Sequence, residues 1–181
     1  MQDMVNHYPL LNNIRFDYRF YQDLTNLLIN IYLNIPKENI YFCANHEFIT
    51  TLISEPVNII NIDHHHDIGY RIEDWTAPLP SLECGNWIKW LKDNQLLNAY
   101  TWVRDLTSYS YQNEVPKEYW PQQELVLPFD LQNIVINYDE IDKVVICSSF
   151  NWVPPKFNEL YYLWIDIYQT LTQAEIPVII H

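Results

Sequence analysis

Glycine is almost missing from this chain: Gly69 and Gly85 are the only two in 181 residues. A phosphate-cradling loop or a dinucleotide-binding turn needs several glycines close together, so nucleotide chemistry of those kinds is excluded. Basic residues are also scarce, ten against 23 acidic ones, for a formal net charge of −13. Nucleic-acid binders carry basic faces, so no nucleic acid is expected; the same charge suits a cationic substrate. Cys43, Cys84 and Cys147 are odd in number and widely spaced, which argues against a disulfide framework. No apolar run approaches the roughly 20 residues of a membrane span. The opening "MQDMVNHYPLLNN" lacks the basic start and apolar middle of a secretory signal. The expected setting is a reducing cytoplasm without a membrane partner. A serine or cysteine elbow with an obvious base is missing too, which ranks covalent catalysis low.

What is present is a globular chain, 49% hydrophobic and 15% aromatic, long enough for one domain over residues 1–181. Residues 16–33 carry Phe16, Phe20, Leu24, Leu27, Leu28 and Ile31, the spacing of an amphipathic helix, and Pro36 follows as a stop. "NIYFCA" (39–44) reads as a strand and "HEFITTLIS" (46–54) as one or two helical turns. "VNIINID" (57–63) is apolar at nearly every position, as for a strand buried on both faces. A helix is expected over 82–97 and a strand over 99–105, then a long loop over 106–131. A strand over 143–150, a helix over 156–171 and a strand over 176–180 close the chain. The last helix carries Phe157, Leu160, Tyr161, Trp164 and Leu171 as its stripe. Alternating strands and helices imply an α/β fold, a parallel sheet flanked by helices. Ligands gather outside the carboxyl ends of such strands. The loops after three of them, 44–47, 63–67 and 149–155, are expected on one sheet edge.

The chemistry concentrates in "NIDHHHDIGY" (61–70), which holds three of the six histidines between two aspartates. Successive side chains on an extended segment face opposite ways. Asp63, His65 and Asp67 would then share one side, and His64 and His66 the other. Carboxylate and imidazole together suit Mn, Fe or Zn. Five ionisable residues directly after a buried strand are costly unless something compensates them. His46, at a neighbouring strand end, is a further candidate ligand. Cys43, Cys84, Trp87, Trp90 and Trp164 read as core. Asn86 stands at a helix start, where capping is preferred over substrate contact.

At these residues the chain resembles the arginase/deacetylase superfamily. "NIDHHHD" looks like its D-x-H-x-D metal motif, "ANHEF" like its earlier histidine loop, and "SSFNWVPP" is placed like its later S-F-D-x-D loop. The resemblance runs over roughly residues 40–155. It is similar to compact arginase-like proteins that include peptide arginases, enzymes hydrolysing arginine side chains of ribosomally made precursor peptides to ornithine and urea. It implies a minimal arginase-like three-layer fold and one or two Mn²⁺ ions. His46 and Asp67 would sit on one metal, His65 on the other, and Asp63 between them. Asn151 stands where the family has its bridging aspartate and Val153 where it has the second. Asn151 can offer a neutral carbonyl oxygen, Val153 nothing; Glu83, Asp105 or an acid of the 106–131 loop are candidate replacements.

The resulting expectation is a metal-dependent hydrolase whose partner is an arginine-containing precursor peptide. A divalent ion makes hydroxide available near neutrality. Asp67 would accept the water's proton, with His64 or His66 as shuttles. Glu47, Glu83 and Asn86 are candidates to contact the substrate, a carboxylate holding the guanidinium by paired hydrogen bonds. Alternatives are another metal-dependent C–N hydrolase, acting on a small guanidine or an acetylated amine, and a non-enzymatic metal-binding module. A homo-oligomer stays open.

Overall fold

The computed structural model describes residues 18–70, 75, 81–106, 108, 111, 115–127, 136–148, 158–175 and 179–180. The segment 149–157, with Asn151 and Val153, lies outside the described residues. The architecture is α/β, with parallel sheets flanked by helices. The chain divides into two compact units, Met1–Asn45 with Ile136–His181, and His46–Val135.

The first unit holds a three-stranded parallel sheet of β1 (Ile40–Cys43), β5 (Val144–Cys147) and β6 (Ile179–Ile180). Their order across the sheet is β5-β1-β6. Helix α1 (Tyr18–Asn34) and helix α3 (Asn158–Thr172) belong with it. The apolar spacing of α1 delivers Leu28 and Ile31 to the core, beside Phe42 of β1, Ile146 of β5, and Tyr161, Ile165 and Tyr168 of α3. The buried stripe of α3 is therefore Tyr161, Ile165 and Tyr168, whereas Leu171, expected on it, is exposed. The helices meet through the stacked rings of Tyr21 and Trp164 and an indole N–H donated from Trp164 to Thr25 Oγ1 at 3.3 Å.

The second unit holds β2 (Val57–Ile62), β3 (Leu97–Asp105) and β4 (Gln123–Leu127), parallel and in the order β2-β3-β4. The expectation of three strand ends on one sheet edge is not met among the described residues, because β1 and β5 pair in one sheet and β2 in the other. Nor is β2 buried on both faces: it is an outer strand of its sheet, and Asn58 and Ile60 are exposed. β4 lies inside the stretch expected to be a loop; its register with β3, from Thr101↔Gln123 to Asp105↔Leu127, supplies order that local periodicity does not reveal.

Helix α2 (Trp87–Asp93) is shorter than the 82–97 expected. It ends where Gln95 takes a positive φ of 61° and the chain enters β3 at Leu97. Tyr100 and Trp102, two apart and so on one face of β3, pack with Ile68 and with Trp87, Ile88 and Leu91 of α2. Burial of this order contributes about 1.5–3 kcal/mol per large apolar side chain, and it fixes where α2 presents Trp87. An ion pair from Lys89 to Asp93, a hydrogen bond from the Tyr119 hydroxyl to Asp93 (2.7 Å), and the rings of Trp75 and Tyr119 beside the Lys89 ammonium hold the helix further.

Candidate metal centre

All the residues of the site lie in the second unit. Strand β2 ends at Ile62, and the Asp63 N–H still donates to the Val103 carbonyl at 3.1 Å. The chain then turns, because Asp63 Oδ1 accepts the His65 N–H at 3.2 Å, a carboxylate bonding the backbone two residues on. Alternation therefore stops before the histidines, and the expected split of 63, 65 and 67 from 64 and 66 does not arise. His66 and Asp67 are instead both buried, each 2% exposed.

Asp67 sits in the left-handed region, with φ of 53°, a conformation uncommon outside glycine though less so for Asp. Its surroundings hold it there. The Tyr70 hydroxyl accepts the N–H of His66 at 2.8 Å and of Asp67 at 3.3 Å. The Asp67 carbonyl accepts the Ile88 N–H at the start of α2, at 3.1 Å. Both glycines of the chain serve this loop. Gly69 has a positive φ of 129°, and a Cβ on Gly85 would lie 3.1 Å from the Tyr70 ring.

His46, at the start of the short helix His46–Leu52, completes the site. Its Nδ1 lies 2.9 Å from Asp67 Oδ2 and 3.5 Å from Asp63 Oδ2. His46, Asp63 and Asp67 each offer a ligand atom within 4.8 Å of the others. The indole N–H of Trp87 donates to Asp67 Oδ2 at 2.8 Å, a support of the kind that orients metal ligands. Asp63 Oδ2 is buried and accepts no hydrogen bond among the described residues. Burial, and then the charge of Asp67, push the Asp63 carboxyl up to about 6, against the opposing pull of His46 and His65. Two adjacent carboxylates, Asp67 buried and Asp63 partly buried with an oxygen that accepts no hydrogen bond among the described residues, fit a cation, and the oxygen and nitrogen donors fit a divalent ion of the Mn, Fe or Zn kind.

The other expected residues fall differently. His65, its side chain 34% exposed, places Nδ1 3.8 Å from Asp63 Oδ1, at the rim of the group. His64 lies edge-on to it, ring centroids 4.8 Å apart. His66 does not suit a shuttle. Its ring stacks on Tyr70 at 4.2 Å and meets Trp102 and Tyr111 edge-on. Its Nδ1 accepts the Ile68 N–H at 3.1 Å, and burial lowers it to about 4, so it is neutral at pH 7. Asn86 precedes α2 but makes no side-chain cap; it ties the preceding turn, accepting from Glu83 N at 2.8 Å and donating to Ser81 O at 3.0 Å. Glu83 takes the Ser81 hydroxyl at 3.4 Å, and Glu47 follows His46 in the first turn of its helix; neither belongs to the ligand group.

Sequence reasoning missed the polar work of the aromatic residues. Trp87, read as core, is buried and also bonds Asp67. Trp102 donates its indole N–H to the Asp63 carbonyl at 3.0 Å, and Tyr100 donates its hydroxyl to the His66 carbonyl at 2.8 Å. The signal available was the crowding of Trp and Tyr, side chains whose polar atoms seek partners when buried, around a charged loop.

Fold and site together define an α/β protein of parallel sheets with a His/Asp/Asp group able to hold a metal ion. The chain matches no known protein-family model, no curated protein and no solved structure.

Proposed function

We propose that this protein is a metal-dependent hydrolase that converts arginine side chains of a ribosomally made peptide to ornithine, releasing urea. The observation that carries the reading is the close group of His46, Asp63 and Asp67, Asp67 buried and the other two partly so, with an Asp63 oxygen that accepts no hydrogen bond among the described residues. The likeness of "DHHHD" to the arginase-type motif and the net charge of −13, which favours a cationic substrate, support it. No helix among the described residues is long and apolar enough to cross a membrane, in keeping with action on a peptide in the cytoplasm.

His46, Asp63 and Asp67 would hold the ion, Mn²⁺ by the family likeness. When bound, it supplies the Lewis acidity that lets water ionise near neutral pH. Trp87 keeps Asp67 aimed at the centre through its N–H, and the Tyr70 hydroxyl keeps the backbone beneath it in place. His65, partly exposed beside Asp63, takes over the proton-shuttle role from the buried His66, with His64 next to it. Glu47 and Glu83 remain the candidates to pair with the guanidinium.

The test is incubation with arginine-containing peptides and Mn²⁺, followed by mass spectrometry and a urea assay. Arginine should become ornithine with equimolar urea, and the chelated protein should do nothing. Acetate release from an acetyl-lysine peptide without urea would transfer the protein to the amide-hydrolysing alternative. Tight metal binding with no turnover of either class would leave the binding-module reading.

A further inference from the structure

The cysteines take no part in the metal centre, and their spacing in the sequence argues against pairing. The sheet of the first unit brings two of them together. Cys43 ends β1, Cys147 ends β5, and the two are Cα partners in the parallel register. Adjacent strands run about 4.7–4.9 Å apart, inside the ~4.4–6.8 Å range of Cα separations that a disulfide spans. Partners in a ladder project from the same face of the sheet, so the two side chains stand side by side. Both are thiols in this structure.

The strand ends are firmly held at this point. The Cys43 carbonyl accepts the Ser148 N–H at 3.0 Å, the Ser148 hydroxyl at 3.4 Å and the Tyr161 hydroxyl at 3.4 Å. Exposure differs between the pair: Cys43 is 1% exposed, whereas Cys147 is only partly buried. Cys147 is thus the more accessible residue and its neighbour the sheltered one, the order expected of an attacking and a resolving cysteine.

We propose that Cys43 and Cys147 form a redox-active dithiol, which a small disulfide of the glutathione class oxidises to an intrachain bond. The Cys147 thiolate attacks one sulfur of the small disulfide. That S–S bond breaks, one small thiolate leaves and takes a proton from water, and a mixed disulfide remains on Cys147. Cys43 loses its proton to water and attacks the Cys147 sulfur, which expels the second small thiol. The protein has given up two electrons and two protons, and the small disulfide has become two thiols. Side chains perpendicular to a sheet keep their Cβ atoms near the strand spacing of about 4.8 Å, above the ~3.8 Å mean of disulfides. Closing the bond therefore strains the sheet, and strained disulfides are the readily reduced ones. The pair is a reversible switch and not a permanent staple.

The experiment treats the native full chain with oxidised glutathione and blocks remaining thiols with iodoacetamide. Digestion without reductant and mass spectrometry then map the linkages. A Cys43–Cys147 cross-link with Cys84 alkylated is expected, the intact chain losing the mass of two hydrogen atoms. Cys43→Ser should stop at a glutathione adduct on Cys147, and dithiothreitol should restore both thiols of the wild type without denaturant. The wild-type map needs no variant to fold. A stable adduct on wild-type Cys147 with Cys43 still a thiol would overturn the proposal, as would cross-links to Cys84 in comparable yield.

Discussion

Replacing Asp63 by asparagine removes one charge from the cluster while keeping the side chain's size and an oxygen for the His65 N–H. Burial and the neighbouring Asp67 push the Asp63 carboxyl from 3.8 to about 6. A raised acid stabilises the fold fully below its unfolded value, and that contribution is lost as pH rises through the folded one. Each unit corresponds to about 1.4 kcal/mol, so the ionised carboxylate costs the metal-free protein on the order of 1–3 kcal/mol above pH 7. About 1 kcal/mol moves Tm by roughly 2–4 °C in a chain of this size. In EDTA at pH 7.5, Asp63→Asn should therefore melt several degrees above the wild type. The gap should shrink as pH falls through 6 and close near 4. Excess Mn²⁺ should reverse the order, because a ligand at 100 times its Kd adds about 2.7 kcal/mol to the wild type and little to the variant. Thermal unfolding followed by circular dichroism, with and without metal, reads all of this. A variant less stable than the wild type in EDTA would mean that Asp63 serves chiefly as counter-ion to a protonated His46, 3.5 Å away; the metal reading would then fall.

Trp87→Phe keeps the ring in the core but deletes the N–H that meets Asp67 Oδ2 at 2.8 Å. Mn²⁺ affinity by calorimetry should drop about 10–100-fold, and an unchanged affinity would remove Trp87 from the site. Tyr70→Phe leaves the N–H groups of His66 and Asp67 without their hydroxyl acceptor. It should cost about 1–3 kcal/mol in urea unfolding; a loss too small to measure would show that water replaces the hydroxyl. For His66, burial lowers the imidazole from 6.5 to about 4. The unfolded chain then binds a proton that the folded chain refuses, so stability falls as pH drops from about 6.5 to about 4. This slope opposes that of Asp63 in nearly the same window, and it should stand out in Asp63→Asn. An NMR titration of His66 with a midpoint near 6.5 would refute the burial argument.

Much of the outline was legible locally. The helical spacing of Leu24, Leu28 and Ile31, with Pro36 beyond, marks α1 within one residue of its end, because amphipathic periodicity belongs to one element and its own core face. The β-branched run at 57–63 marks β2 as well, because such side chains favour a pleated, packed surface. What needed a partner was misread or invisible. "QELVL" becomes a strand only by pairing with β3. Ile60 is exposed together with Asn58 because that face of β2 stays open, a property of tertiary packing and not of composition.

The candidate site divides the same way. Residue type alone determined what chemistry it can support: carboxylates and imidazoles between a strand and a turn, in a chain too poor in glycine to cradle phosphates. Which atoms meet was decided by tertiary structure. Asp63 bends the backbone through its own carboxylate, so the period-two argument fails from the next residue onward. His66 drops into the aromatic core, Asp67 turns left-handed, and His46, distant in sequence, arrives beside both aspartates. The indole of Trp87 and the matched register of Cys43 and Cys147 likewise exist only through contacts between distant segments. A side chain's donors and charge travel with its sequence position, but its partners are chosen by strand pairing and packing, which join residues that the sequence keeps far apart.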